Sequence, residues 1–187
     1  HGLYVPFSFM AQDISYSFKV RSAICVKIVV NDENDVPYGI TWEDNMLKLR
    51  QTNALYLWVS NWNQDPYNAK WIFEEANDSR TYEVNGESKT DKYYYLYNVG
   101  QKKYLLLYDR KDSKNDPYYE MTESIPNGVT RGKFAFDYLL RLYAKKSTTR
   151  YLGTSIAVGD AVGIYPGQEE GNAYRWYTVG TSPTNND

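Results

Sequence analysis

The chain has 187 residues, 17% of them aromatic, with twenty tyrosines and a formal charge of −2. That length suits one domain with a real core, and the missing basic excess argues against a nucleic-acid partner. No apolar run is long enough for a helical membrane span, no Lys/Arg-rich amphipathic helix offers itself to a membrane surface, and the tyrosine excess favours strands.

From the N-terminus, residues 1–9 hold the only histidine, His1, and read as the remnant of a purification tag. Met10 is then the native start with no signal peptide, which points to the cytoplasm. The alternative is a secreted domain whose signal has been removed. The single cysteine, Cys25, has no internal disulfide partner, which favours a reducing compartment, and reads as a small buried hydrophobe. Tyr16–Val20 and Ile28–Val30 read as a first strand pair. The run Asn31-Asp32-Glu33-Asn34-Asp35 has oxygens enough for Ca²⁺ but lacks the spacing of an EF-hand loop, so a hydrophilic turn is expected.

Trp42 to Gln51 has a mixed pattern, one helical turn or an extra strand, within an insertion around Glu43 to Asn53. Beyond it, short aromatic and apolar runs alternate with turn clusters at 63–68, 85–91, 109–117, 125–132 and 166–172. Many short strands between frequent turn signals predict an all-β barrel, trefoil or sandwich. The polar 181–187 tail is expected to be flexible.

Three strand endings echo one another: Lys70-Trp71-Ile72-Phe73, Lys133-Phe134-Ala135-Phe136 and Arg175-Trp176-Tyr177-Thr178. Alternation sends first and third positions of a strand to one face, which makes Trp71, Phe134 and Trp176 core anchors. Hairpins of matching chemistry precede two of them, Leu96-Tyr97 with Lys103-Tyr104-Leu105 and Leu142-Tyr143 with Arg150-Tyr151-Leu152. The expectation is a single β-trefoil domain over 10–180, with repeats at about 15–76, 92–137 and 138–179, each unable to bury its own apolar face. A β-sandwich is the alternative.

The stretch 159–166 with Asn172-Ala173-Tyr174-Arg175-Trp176, and Leu57-Trp58 with Asn68-Ala69-Lys70-Trp71, resemble the repeats of ricin-B-type trefoil lectins, which end in Gln-x-Trp. The likeness spans about residues 15 to 179. The family's Gln position holds Ala69 and Tyr174 here, and Phe134 stands for one Trp. The resemblance implies an aromatic plate at the end of each repeat's third strand with an Asn a few residues on. It pairs Tyr165 with Asn172 and Trp58 with Asn68, while Tyr119, beside Tyr118, with Asn127 is a weaker match. The family's binding Asp has no counterpart, and Gly153 stands near where it would fall in the third repeat.

The residues themselves support a binding role. Without a histidine beyond His1 there is no His-based triad or base, and Cys25 has no His to form its thiolate. No phosphate loop or Cys/His metal spacing is present, so neither a cofactor nor a metal is expected and the chain is not expected to be an enzyme. A sugar ring needs an aromatic plate and nearby planar amide or carboxylate groups. Asn61, Trp62 and Asn63, between Trp58 and Asn68, are the densest such mixture. The expected function is a lectin for glycans or glycoproteins, in which several modest sites gain avidity together. The alternatives are a protease inhibitor acting through loops around 111–116 and 43–53, or a protein-binding module with an exposed aromatic patch. A homodimer is left open. The triplet Asn77-Asp78-Ser79 would accept a glycan in a secreted chain.

Overall fold

The computed structural model describes residues 25–52, 66–111, 117–125, 129–168 and 174–181. The proposed tag remnant, Tyr16–Val20 and the tail beyond Thr181 lie outside them. The described residues form twelve strands: β1 (Cys25–Asn31), β2 (Pro37–Glu43), β3 (Met46–Gln51), β4 (Trp71–Val84), β5 (Glu87–Asn98), β6 (Lys103–Lys111), β7 (Pro117–Thr122), β8 (Phe134–Phe136), β9 (Leu142–Ala144), β10 (Tyr151–Gly153), β11 (Tyr165–Gly167) and β12 (Tyr177–Gly180). Two 3₁₀ turns, Tyr67–Ala69 and Thr130–Gly132, stand just before the Trp71 and Phe134 strands. No α-helix occurs among the described residues, so none there could cross a membrane.

All strand pairs are antiparallel and belong to one sheet. An inner row runs β12-β1-β4-β5-β8-β9, and the Trp176 N–H donates at 2.9 Å to the carbonyl of Leu140, just before β9 begins. From this row three two-strand extensions leave: β2–β3 from β1, β6–β7 from β5 and β10–β11 from β9. The ends of the sheet approach each other. Leu49 N–H donates to Val162 O at 2.8 Å, Ile164 N–H to Leu47 O at 2.9 Å, and Ala161 N–H to Leu49 O at 2.8 Å, so β3 runs beside the segment that feeds β11. The barrel thus nearly closes, which hides sheet edges. A sandwich would require two facing sheets, and these strands make one.

Alternation puts the three aromatic anchors inside. Trp71, Phe134 and Trp176 are 0%, 0% and 1% exposed and share one apolar cluster with Ile28, Leu49 and Leu152. A buried indole N–H needs an acceptor. Trp71 Nε1 donates to Ile40 O at 2.9 Å and Trp176 Nε1 to Leu152 O at 3.0 Å. Phe134 has no such group to satisfy, so it fills the same role in its strand without a bond. The two expected hairpins pair as Tyr97 with Tyr104 and Tyr143 with Tyr151. Ile28–Val30 lies in β1, whose hairpin partner is β2.

Two expectations need correction. The stretch read as an insertion, Glu43 to Asn53, is largely the regular hairpin of β2 and β3. Its turn is the two residues Asp44 and Asn45, both left-handed (φ 53° and 59°), as a tight hairpin requires. Leu47 and Leu49 alternate into the core and hold the register, so no free inhibitory loop exists over Glu43–Thr52. The second is the cluster at 85–91. Only Asn85 and Gly86, at φ 52° and 81°, turn the chain there. Ser88 to Asp91 continue β5, making an arm that runs on past the inner row.

That arm lies against the outer face of β8–β10. On β9, Leu142 and Ala144 point inward while Tyr143 points out, and Tyr143 forms a second small core with Tyr93, Ala135 and Tyr151. A bulge between Glu75 and Ser79 sets three β4 residues opposite Tyr93, with Asn77 at φ 51°.

Candidate functional site

The closure of the sheet builds a platform. On β3 the buried Leu47 and Leu49 alternate with half-buried Met46, Lys48 and Arg50, which therefore share the outward face. Lys48 bridges to Gly163, and Tyr165, two residues on, falls on the same face and is 46% exposed. Gly163 is the floor. A Cβ built there would stand 2.6 Å from Met46 Cε and 3.0 Å from Tyr165 Cε2, so only glycine lets the ring and the thioether lie this close to the backbone. From Tyr165 to Ala161 the strip runs about 13 Å at strand rise.

Charges rim this strip. Arg50 donates from Nε to Glu43 Oε1 at 2.9 Å and from Nη1 to Asp160 Oδ2 at 3.0 Å, and its Nη2 also reaches Glu43. The Glu43 hydrogen bonds push the Arg50 guanidinium above its ordinary range. Lys48 Nζ donates to Asp44 Oδ2 at 2.6 Å, and this bond holds the Asp44 carboxyl below its usual range. An apolar aromatic plate beside fixed acceptors and donors can stack on a flat C–H face and bond its hydroxyl rim.

Of the residues predicted from sequence, Tyr165 lies exposed beside Gly163 on this strip. Gly153 is directly opposite it in the β10–β11 pair, so the place where the resemblance puts an acid is occupied by a residue without a side chain. Tyr119 is a correction. It is 5% exposed, belongs to the main core and touches Phe134, with ring centroids 6.4 Å apart. Burial raises its hydroxyl pKa. The residues that face outward on β7 are its neighbours Tyr118 and Glu120, and the Tyr118 ring lies against that of Tyr108, tilted by 31° with centroids 4.9 Å apart. Asn68 is half-buried and tied to the β5–β6 turn. Its carbonyl accepts from Asn98 Nδ2 at 2.9 Å and its Oδ1 accepts from Gln101 Nε2 at 3.2 Å. Trp58, Asn61, Trp62, Asn63, Asn127 and Asn172 lie outside the described residues.

A second polar assembly sits under the arm. Asp91, 3% exposed, accepts from the Tyr82 hydroxyl at 3.0 Å and the Tyr143 hydroxyl at 2.7 Å. Tyr143 in turn accepts from Arg80 Nη1 at 3.3 Å. Burial, then the bond to Asp91, pushes Tyr82 up to about 12, and burial, then the neighbouring Tyr93 hydroxyl, raises Tyr143. Asp78 accepts from Lys145 at 2.5 Å and Lys133 at 3.1 Å, and these two bonds bring its carboxyl down to about 2. Each partner here is spent on another, which marks the assembly as structural. The acidic turn likewise uses its own oxygens: Asp32 Oδ1 accepts from the Asn34 and Val36 N–H groups at 2.8 and 2.9 Å. Among the described residues no cluster of three or more potential metal ligands forms.

Sequence reading missed Met46, Lys48, Arg50 and Asp160 as members of the platform. Leu47 and Leu49, alternating with them, carried the signal, but the polar Glu43-Asp44-Asn45 interrupts it.

No protein-family model and no curated protein matches the chain. Among solved structures, 29 chains match. One is a mosquitocidal holotoxin, with a TM-score of 0.51 at 11% identity over 84% of this chain and 17% of that one, so the present chain spans a minor part of its length. A Caenorhabditis elegans protein with unknown function matches at TM-score 0.50 and 12% identity, covering 83% of this chain and 93% of that one. The solution structure of the mdaA-1 domain stands at 0.48 and 11%, covering 83% and 88%. Likeness at these identities concerns the fold alone.

Proposed function

We propose that the twelve strands are three four-stranded units of a β-trefoil and that the chain is a carbohydrate-binding protein whose site is the Tyr165 platform. The β1–β4, β5–β8 and β9–β12 sets support the first part, because each contributes an inner strand, an extension of two strands and a closing strand led by Trp71, Phe134 or Trp176. The observation that carries the second part is an aromatic ring, 46% exposed, laid over a glycine floor between hydrogen-bonding side chains. Binding without catalysis fits this arrangement, since the platform is open and holds its charges in pairs. The test is a glycan array probed with the wild-type chain and with Tyr165→Ala and Gly163→Val. Wild-type binding that both substitutions abolish supports the reading, whereas a wild-type chain that binds no glycan overturns it.

A protein-binding role is the second reading, favoured by the β8–β9 turn. Tyr138 and Leu140 are 43% and 52% exposed there, and Leu140 is held at φ 63°, a costly conformation for a bulky side chain. The turn is rigid, because Asp137 accepts from the Leu139 and Arg141 N–H groups and from Arg141 Nε at 2.7 Å. Leu140→Asn, which suits the left-handed region, is expected to raise the melting temperature while leaving glycan binding intact. A fall in melting temperature would show that the leucine packs rather than presents itself.

A further inference from the structure

We infer that the Tyr165 platform selects neutral glycans and turns away acidic ones; the inference rests on the carbohydrate reading above and names its ligand class. Two cations and three carboxylates rim the strip: Lys48 and Arg50 against Asp44, Glu43 and Asp160. The balance is one negative charge, and position sharpens it. The Lys48 side chain is only 16% exposed while its partner Asp44 is 75% exposed, and Asp160, at 57%, stands further out than Arg50, at 42%, with Glu43 further in at 28%. A ligand arriving from solvent therefore meets the Asp44 and Asp160 carboxylates first and finds Lys48 and Arg50 already engaged with them.

The chemistry of those carboxylates points the same way. An ionised carboxylate only accepts, and has about four lone-pair sites. Arg50 takes a single oxygen of Glu43, and Lys48 a single oxygen of Asp44. Among the described residues, Glu43 Oε2 and Asp44 Oδ1 receive no hydrogen bond. Sugar hydroxyls donate to such oxygens. A sialic or uronic acid carboxylate, or a sulfate, has no proton to give and adds a like charge within a few ångströms. In a solvent-facing site that repulsion disfavours the acidic ligand by about threefold to tenfold, and added salt weakens it.

The experiment uses the full chain against immobilised pairs of one glycan with and without its terminal sialic acid, at low and at high salt. Preferential binding to the desialylated member, narrowing as salt rises, is the expected result. The double substitution Glu43→Gln with Asp160→Asn should reduce the gap, its fold checked by melting temperature, while the salt series on the wild-type chain needs no substitution. Equal binding at both salts, or preference for the sialylated member, overturns the inference and leaves the carbohydrate reading standing. Binding to neither member of any pair removes both.

Discussion

The barrel interior and the layer beneath the β4–β5 arm bury aromatic rings by different means. Inside, Trp71 and Trp176 meet aliphatic neighbours and send their one polar atom to a backbone carbonyl. Under the arm, Tyr93, Tyr143 and Tyr151 pack with an alanine, and the Tyr143 and Tyr82 hydroxyls both serve a buried carboxylate, Asp91. Filled volume and removal of apolar surface from water stabilise the first region. The second depends on every polar partner being present, because a half-satisfied network in a poorly hydrated place is costly. One chain thus has a core that answers to size and a layer that answers to hydrogen-bond count.

Substitutions can break that distinction. The largest effect is expected from Trp71→Ala or Trp176→Ala, each costing about 3–5 kcal/mol in urea unfolding, because a cavity opens in the main apolar cluster. Trp71→Phe, which gives the first ending the second's residue, should fall well short of that. Equal losses from Ala and Phe would mean that the bond to Ile40 O, and not volume, rules the interior. Under the arm the ordering reverses. Tyr143→Phe barely changes volume yet takes one hydrogen bond from Asp91, which keeps that of Tyr82, and one from Arg80, so about 1–3 kcal/mol is expected. A negligible change would erase the contrast between the two regions.

Acid sharpens the comparison further. The Asp78 carboxyl sits at about 2 in the fold against an ordinary 3.8. A carboxyl lowered by folding stabilises the fold above its unfolded pKa and loses that contribution as pH falls through the folded one. Stability should therefore decline across that window, and Asp78→Asn should flatten the decline, its cost fully present near neutrality and vanishing in acid. The smallest expected change is that of Tyr165→Ala, within about 0.5 kcal/mol by thermal melting, because its ring is outside both regions.

Much of the interior was legible because its rings alternate with a period of two and are followed by further apolar residues. The trio Trp71, Phe134 and Trp176 could be read for that reason. Tyr119 could not be told from Tyr118 without knowing which of two adjacent tyrosines faces inward, and a one-residue ambiguity exchanges the faces of a strand. The arm was illegible for a different reason. Its inward side is Arg80, Tyr82 and Asp91 instead of valine or leucine, so Ser88-Lys89-Thr90-Asp91 looked like a turn. The platform was hidden because it joins β3 to a segment more than a hundred residues later, across the Lys48–Gly163 bridge.

The bulge in β4 carries a consequence of counting. Between Glu75 and Ser79 that strand advances four residues while β5 advances two, from Tyr94 to Lys92. The surplus is even, so parity survives the kink and Arg80 and Tyr82 still look toward β9. Deleting one residue from Ala76–Asp78 would make the surplus odd. The distal arm would then either invert, carrying its tyrosine and arginine into water, or slide its turn off Asn85-Gly86.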